Sequence, residues 1–327
     1  MTHDFFFRTM FRHEAAENAV KALNEAAPYL SYAARFTSFK AFKYDKRFTS
    51  KCSSDAVIIN RNSQIHTIFK LAHAGFYSTA TPTSPTNAKC PFCMLELTFA
   101  ENDDPWEKHR TQKPDCEFVI LGQPDETTLT LQIISSLAIR CATVAEYEKM
   151  LPIIHYLEEA DHEQSYRREE ATRKLISLRN NSQYLTADHR YATFKIDGHR
   201  AKGVRDHILK KIAKAGWCSA ITNRSLLSAK CPFCLLTIDF DTTDDFWEEH
   251  KNSSANCDFV KLNKLNEKDW TTEEALMLAV KISVVKKFEK QRKILEQLEN
   301  DKEADQLANQ LSKMMARPKC LRRRCSV

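Results

Sequence analysis

Apolar and polar residues alternate in two short stretches of the chain, MLELTF at 94–99 and LLTIDF at 235–240. The alternation puts Leu95, Leu97 and Phe99 on one face of a strand, and Leu236, Ile238 and Phe240 on one face of another. Downstream of each strand the period lengthens to that of a helix. Trp106 and His109 are three residues apart, as are Trp247 and His250, so each pair shares a helix face. Asp104 is placed to cap the first helix and Pro105 suits its first turn. Phe246 stands where the second helix would have that proline, which leaves its start less sharply defined.

Longer helical runs lie between and after these stretches. The run at 129–150 (LTLQIISSLAIRCATVAEYEKM) is helical in pattern until Pro152 breaks it, and 153–182 reads as a charged helical linker. Near the end, Thr271 and Glu274 form a capping box, and no glycine or proline follows until after Met315. A helix of that length would extend on the order of 65 Å. Its first third, with Leu276, Leu278, Ala279, Val280 and Ile282, is expected to pack on the preceding domain. Val284, Val285, Phe288, Leu295 and Leu298 then form a stripe, resumed at Leu307, Leu311 and Met314, which fits the seam of a dimer or a hetero-bundle.

The chain is internally duplicated. Cys90–Cys116 and Cys231–Cys257 are both 27 residues long and identical at twelve positions, including every cysteine and the histidine. An offset of 141 also aligns Ala74-Gly75-Phe76 with Ala215-Gly216-Trp217, and RFTSFK at 35–40 matches RYATFK at 190–195. The organisation this predicts is α+β: an N-terminal helical segment (1–30), repeat 1 (31–126), a helical linker (127–182), repeat 2 (183–265), a long C-terminal helix (266–316) and a basic tail (317–327).

Composition narrows the function classes. With 327 residues, 43% hydrophobic, the chain can bury more than one core. No apolar run approaches a membrane span, and the first twenty residues lack a signal-peptide layout, so an intracellular protein without a membrane partner is expected. Of the net charge of +6, five positive residues (Arg317, Lys319, Arg322, Arg323, Arg324) lie in the tail, so the body is nearly neutral and nucleic acid is not indicated as a direct ligand.

Eleven cysteines in a reducing compartment point to metal before disulfides. Cys90, Cys93, His109 and Cys116 form one ligand set and Cys231, Cys234, His250 and Cys257 the other, each a three-thiolate, one-imidazole shell for zinc. Four protein ligands leave no open position, so two structural zinc ions are expected and no enzyme activity.

These residues, with Gly75, Asp104, Pro105, Trp106 and Phe118 and their counterparts in the second copy, resemble the baculoviral inhibitor-of-apoptosis repeat, or BIR domain. The resemblance implies a short antiparallel sheet with surrounding helices around one zinc, repeated twice. It also implies a binding module for peptides with a free N-terminus, whose amine would be held by Asp103 and Asp244 beside Phe99 and Phe240. The long C-terminal helix is similar to that of survivin-type members. By that resemblance the expected role is an adaptor in chromosome segregation, the mitotic spindle and cytokinesis, found in cytoplasm and nucleus, with histone tails or chromosomal-passenger-like helical partners binding at Val284, Phe288, Leu295 and Leu298. The alternative that the family also implies is inhibition of apoptotic caspases.

Overall fold

A computed structural model describes residues 18–19, 21–39, 67–100, 102–122, 129–159, 165–195, 203–220 and 227–299. The described chain divides into two compact units, Glu146–Lys287 and the pair of segments Met1–Ala145 and Phe288–Val327. At the N-terminal end, residues 18–19 and 21–26 are helical.

Repeat 1 begins with a helix at Tyr32–Ser38, whose N-terminus is capped by the Ser31 side chain. A helix at 67–73 leads into a three-stranded antiparallel sheet, β1 (Tyr77–Ser78), β2 (Asn87–Lys89) and β3 (Glu96–Thr98), in that order. Ala88 pairs with Leu97 at its centre. The expected alternation is present, with Glu96 and Thr98 exposed, Leu97 half-buried and Phe99 buried. Two helices then close the unit's metal side, Pro105–Gln112 and Glu117–Ile120.

Repeat 2 is built in the same order. Helices Ala187–Thr193 and Asp206–Lys214 precede β4 (Cys218–Ser219), β5 (Ser228–Lys230) and β6 (Thr237–Asp239), again antiparallel, with Ala229 opposite Ile238. Helices Phe246–Ser253 and Asp258–Leu262 complete it. Small residues at the sheet centres, Ala88 and Ala229, are fully buried and let large aromatic rings lie over the strands.

Each repeat continues into a long helix, Leu131–Glu159 after repeat 1 and Thr272–Glu299 after repeat 2. Their starts are separated by the same 141 residues as the metal ligands, and so are their buried positions. Leu137 and Leu278, Ile139 and Val280, Cys141 and Ile282, Val144 and Val285, and Tyr147 and Phe288 are all buried. The duplicated module is therefore the repeat together with its helix. Leu278 and Ile282 belong to the core of repeat 2, as expected for the first third of that helix.

Two expectations need correction. Pro152 does not end the first long helix, which runs through it to Glu159. The turns on either side carry buried Tyr147 and Ile154, and that burial holds the helix together against the one lost backbone hydrogen bond. Val284 and Phe288, read as part of a partner seam, are 4% and 2% exposed and so are already covered within the chain. Leu295 and Leu298 lie on the helix backbone, while 300–315 of the expected helix falls outside the described residues.

Candidate metal centres and amine-binding loops

The metal centres are assembled from three pieces of local structure. The first is the turn Cys90-Pro-Phe-Cys93, where the Cys90 amide donates to the Leu95 carbonyl at 2.9 Å and the Phe92 amide donates to Cys90 Sγ at 3.4 Å. Met94 leaves the turn with a left-handed φ of 63°, and Leu235 does the same at 65° in repeat 2. Bulky side chains rarely adopt this conformation, so the turn holds them there. The second piece is the helix carrying the histidine, and the third is the start of the short helix after Cys116 or Cys257.

Helix Pro105–Gln112 is capped by the Asp104 carboxylate, which accepts from the amides of Trp106 and Glu107. Helix Phe246–Ser253 is capped in the same way, with Asp245 accepting from Trp247 and Glu248. The start expected to be less sharply defined is thus as well formed as the other, because the aspartate sets it rather than the proline. Phe246 is instead used for packing: it is buried, and its carbonyl accepts from the Trp217 indole N–H at 3.0 Å. In both helices the tryptophan rings meet the histidine edge to face, at 6.3 Å and 6.1 Å.

His109 and His250 are fully buried, and each Nδ1 lies 2.8 Å from a backbone carbonyl, of Ala74 and Ala215 respectively. A carbonyl can only accept, so Nδ1 carries the proton and Nε2 is left with its lone pair toward the cysteines. Cys93 Sγ is 3.4 Å from His109 Nε2 and Cys234 Sγ is 3.7 Å from His250 Nε2. Cys90 and Cys116 sulfurs are 4.0 Å apart, and those of Cys231 and Cys257 are 3.9 Å apart. Tetrahedral zinc with Zn–S bonds of about 2.3 Å puts its sulfurs roughly 3.8 Å from one another. All four donors of each set lie within 4.8 Å, so both sets fit one zinc ion.

The electrostatics agree with this fit. Burial pushes the Cys90 and Cys231 thiols well above the ordinary thiol range. A hydrogen bond to Cys116 raises Cys93 to about 12, and burial also raises Cys257. One thiol per set goes the other way: Cys116, which accepts from Cys90, and Cys234, which accepts from Cys231. Thiols crowded together and buried resist losing their protons jointly, and a divalent ion supplies the charge that stabilises three thiolates.

Two glycines let the rest of the repeat close on the metal. Gly75 and Gly216 have φ of 90° and 95°, and a Cβ on either would sit 2.8 Å or 2.7 Å from the ring of Phe118 or Phe259. Beneath the knuckle in each repeat lies an arginine whose role the matching stretches at 35–40 and 190–195 did not disclose. Arg35 is 1% exposed; it donates to the carbonyls of Ala72 (3.0 Å) and Leu30 (2.6 Å) and lies over the rings of Phe92 and Phe118. Arg190 does the same with Ala213 and Leu185 and over Phe233 and Phe259, and adds an ion pair to Glu267 at 3.2 Å. Burial works against its charge, and Glu267 works for it. An arginine at the matching position of both copies was the available signal.

The residues expected to hold an N-terminal amine are placed differently from one another. Asp103 Oδ2 accepts from the Ala100 amide at 2.7 Å, and Asp244 Oδ2 from the Asp241 amide at 2.7 Å, so each carboxylate closes the loop before its helix. Asp103 also binds Lys108 Nζ at 2.5 Å, and this ammonium lies 5.7 Å from the centre of the Phe99 ring. Lys108, and secondarily the Ala100 amide, hold the Asp103 carboxyl below its ordinary range. Phe99 and Phe240 are 2% and 8% exposed and pack edge-on against Phe76 and Trp217. They underlie the loops from inside the core and do not form an open wall.

A family profile described as BIR, Inhibitor of Apoptosis domain, matches residues 35–120 and 190–261. The chain is 48% identical over 321 residues to the Baculoviral IAP repeat-containing protein bir-2 of Caenorhabditis elegans, covering 97% of this chain and 99% of that protein. It is 34% identical over 134 residues to the Chromosomal passenger complex protein bir-1 of the same organism, covering 40% of this chain and 75% of that protein. With Baculoviral IAP repeat-containing protein 5 of Mus musculus it shares 40% identity over 63 residues, 19% of this chain and 45% of that protein. No solved structure matches the chain.

Proposed function

The chain belongs to the family of baculoviral IAP repeat proteins, and from that premise we propose that it is a non-enzymatic, zinc-stabilised adaptor whose repeats recognise protein N-termini. The observation that carries this reading is the closure of both metal centres, where each histidine and cysteine of the set is a zinc ligand and no coordination position is left for a substrate. What remains for binding is the loop before each metal-bearing helix, where Asp103 and Asp244 offer a carboxylate to an ammonium group.

Similarity to a chromosomal passenger complex protein supports a role for this chain in chromosome segregation, the spindle and cytokinesis, with location on chromosomes or spindle in mitosis. Helical partners would engage the terminal helix beyond Phe288, since Val284 and Phe288 are covered. No helix among the described residues is long and apolar enough to cross a membrane. A second reading, inhibition of apoptotic caspases, is favoured by the family description and by the duplication of the repeat.

Affinity capture of the full chain from dividing cells separates the two. Passenger-type partners, lost when Leu295 and Leu298 are both changed to glutamate with zinc content intact, are expected. Recovery of caspases, with inhibition of their activity by the purified chain, would replace the first reading by the second.

A further inference from the structure

We propose that the two repeats are not equivalent as amine receptors: repeat 1 is closed by its own Lys108, and repeat 2 is the open one. This rests on the reading that Asp103 and Asp244 stand where an N-terminal ammonium would be held. The support comes from an ammonium already seated in repeat 1. Lys108 Nζ lies 2.5 Å from Asp103 Oδ2 and over the Phe99 ring at 5.7 Å. That is the contact set a ligand's terminal amine would need, a carboxylate on one side and an aromatic ring on the other. An incoming amine at repeat 1 must displace this lysine and then bear its charge nearby.

Repeat 2 keeps the receptor and removes the occupant. Asp244 has the loop contact of Asp103, to the Asp241 amide, and Phe240 has the core position of Phe99. The residue five positions after Asp244, matching Lys108, is Glu249, and it is exposed on the helix. No ammonium of a described residue reaches Asp244. Among the described residues the local balance thus changes from one carboxylate neutralised by one ammonium to three carboxylates, Asp241, Asp244 and Glu249, without one. Among close neighbours the two helices are otherwise alike, since Glu107 and Glu248 are both exposed and both engaged by a basic residue three positions on, Arg110 and Lys251. Lys108 and Glu249 set the difference on the helix, and on the loop Asp241 in place of Ala100 adds a carboxylate in the same direction.

The lysine contact is half-exposed, so on its own it would hold the site shut only weakly. The larger part of the effect comes from exchanging an attractive charge for a repulsive one beside the bound amine. Charge-assisted contacts differ by about 10- to 100-fold in affinity when made or lost.

The test uses the full chain and a short peptide beginning with alanine, free and N-acetylated, in titration calorimetry. The intact chain should bind one equivalent of free peptide. E249K should reduce that affinity at least tenfold, and K108E should raise the stoichiometry to two. The double exchange, K108E with E249K, should move the single site to repeat 1, read from chemical shifts of the Ala100 and Asp241 amides. Lys108 is half-exposed, Glu249 is exposed and neither is a zinc ligand, so zinc content and helicity should not change. Two equal sites in the intact chain, or an E249K chain that binds as well as the parent, would overturn the inequivalence while leaving amine recognition standing. Equal binding of free and acetylated peptide by the K108E chain would remove amine recognition itself, and the inequivalence with it.

Discussion

Repeat 1 and repeat 2 agree wherever a side chain touches the metal or holds a ligand, and differ one step further out. The knuckle turns, the histidine-to-carbonyl bonds and the aspartate caps correspond residue for residue. Away from them, Phe76 becomes Trp217, Pro105 becomes Phe246 and Lys108 becomes Glu249. The first two exchanges go together: the indole N–H of Trp217 finds its acceptor in the carbonyl of Phe246, and the Phe246 ring packs edge-on against Phe240. The third exchange changes charge and not the core: Lys108 is half-exposed with its ammonium on Asp103, and Glu249 is exposed. Tetrahedral coordination tolerates no change of ligand type or spacing, a core tolerates changes made in pairs, and an exposed helix face is left open for selection by what binds there.

The sharpest way to break this comparison is to remove one metal. His109→Ala and His250→Ala should each lower zinc from about two equivalents to one by elemental analysis and unfold the repeat concerned, since structural zinc contributes on the order of 10 kcal/mol to folding. The intact repeat should keep its near-ultraviolet signal. Loss of both repeats from either single variant would show that they fold as one. Lower pH should loosen both metals, because protons compete with zinc for the three thiolates and the imidazole of each set.

Next in size is the buried arginine. Arg190→Ala should destabilise repeat 2 by about 3–5 kcal/mol in denaturant unfolding, since it takes one donor from each of three carbonyls and the ion-pair partner from Glu267. Glu267→Gln should cost less than half of that, which would separate the ion pair from the carbonyl bonds.

The glycines give a finer comparison. Gly75→Ala and Gly216→Ala both combine positive φ with a clash on a phenylalanine ring and should cost about 2–3 kcal/mol each. Gly216→Ala should be the worse, because its Cβ also lies 3.2 Å from the Cε1 atom of His250. Equal thermal shifts would mean that the metal-bearing helix gives way as easily as the ring.

The smallest expected effect is electrostatic. Asp103 has its carboxyl lowered by Lys108 first, so the stability it lends is present at neutral pH and is lost as pH falls through its folded-state value. In Lys108→Ala the Asp103 carboxyl, followed by NMR, should titrate closer to the ordinary value of about 3.9. An unchanged titration would assign the lowering to the Ala100 amide.

The ligand sets, the strands that follow the knuckles and the helices that carry the histidines were legible in the sequence. Zinc restricts residue type and spacing, and alternation and capping are local rules that a short window of residues expresses. The duplication made the same pattern visible twice. Other features depend on contacts between distant residues, and only the tertiary structure decided them. Arg35 reaches the carbonyl of Ala72, 37 positions away, so nothing near it in the chain announces a buried guanidinium. Pro152 stays inside a helix because packing on both sides outweighs one missing hydrogen bond. Val284 and Phe288 follow the same spacing that a partner seam would show, and burial alone reveals that the chain covers them itself. Lys108 and Glu249 read as ordinary surface charges until the loop folds Asp103 back over the helix start, within reach of one ammonium, because proximity between charges is a property of the fold and not of spacing along the chain.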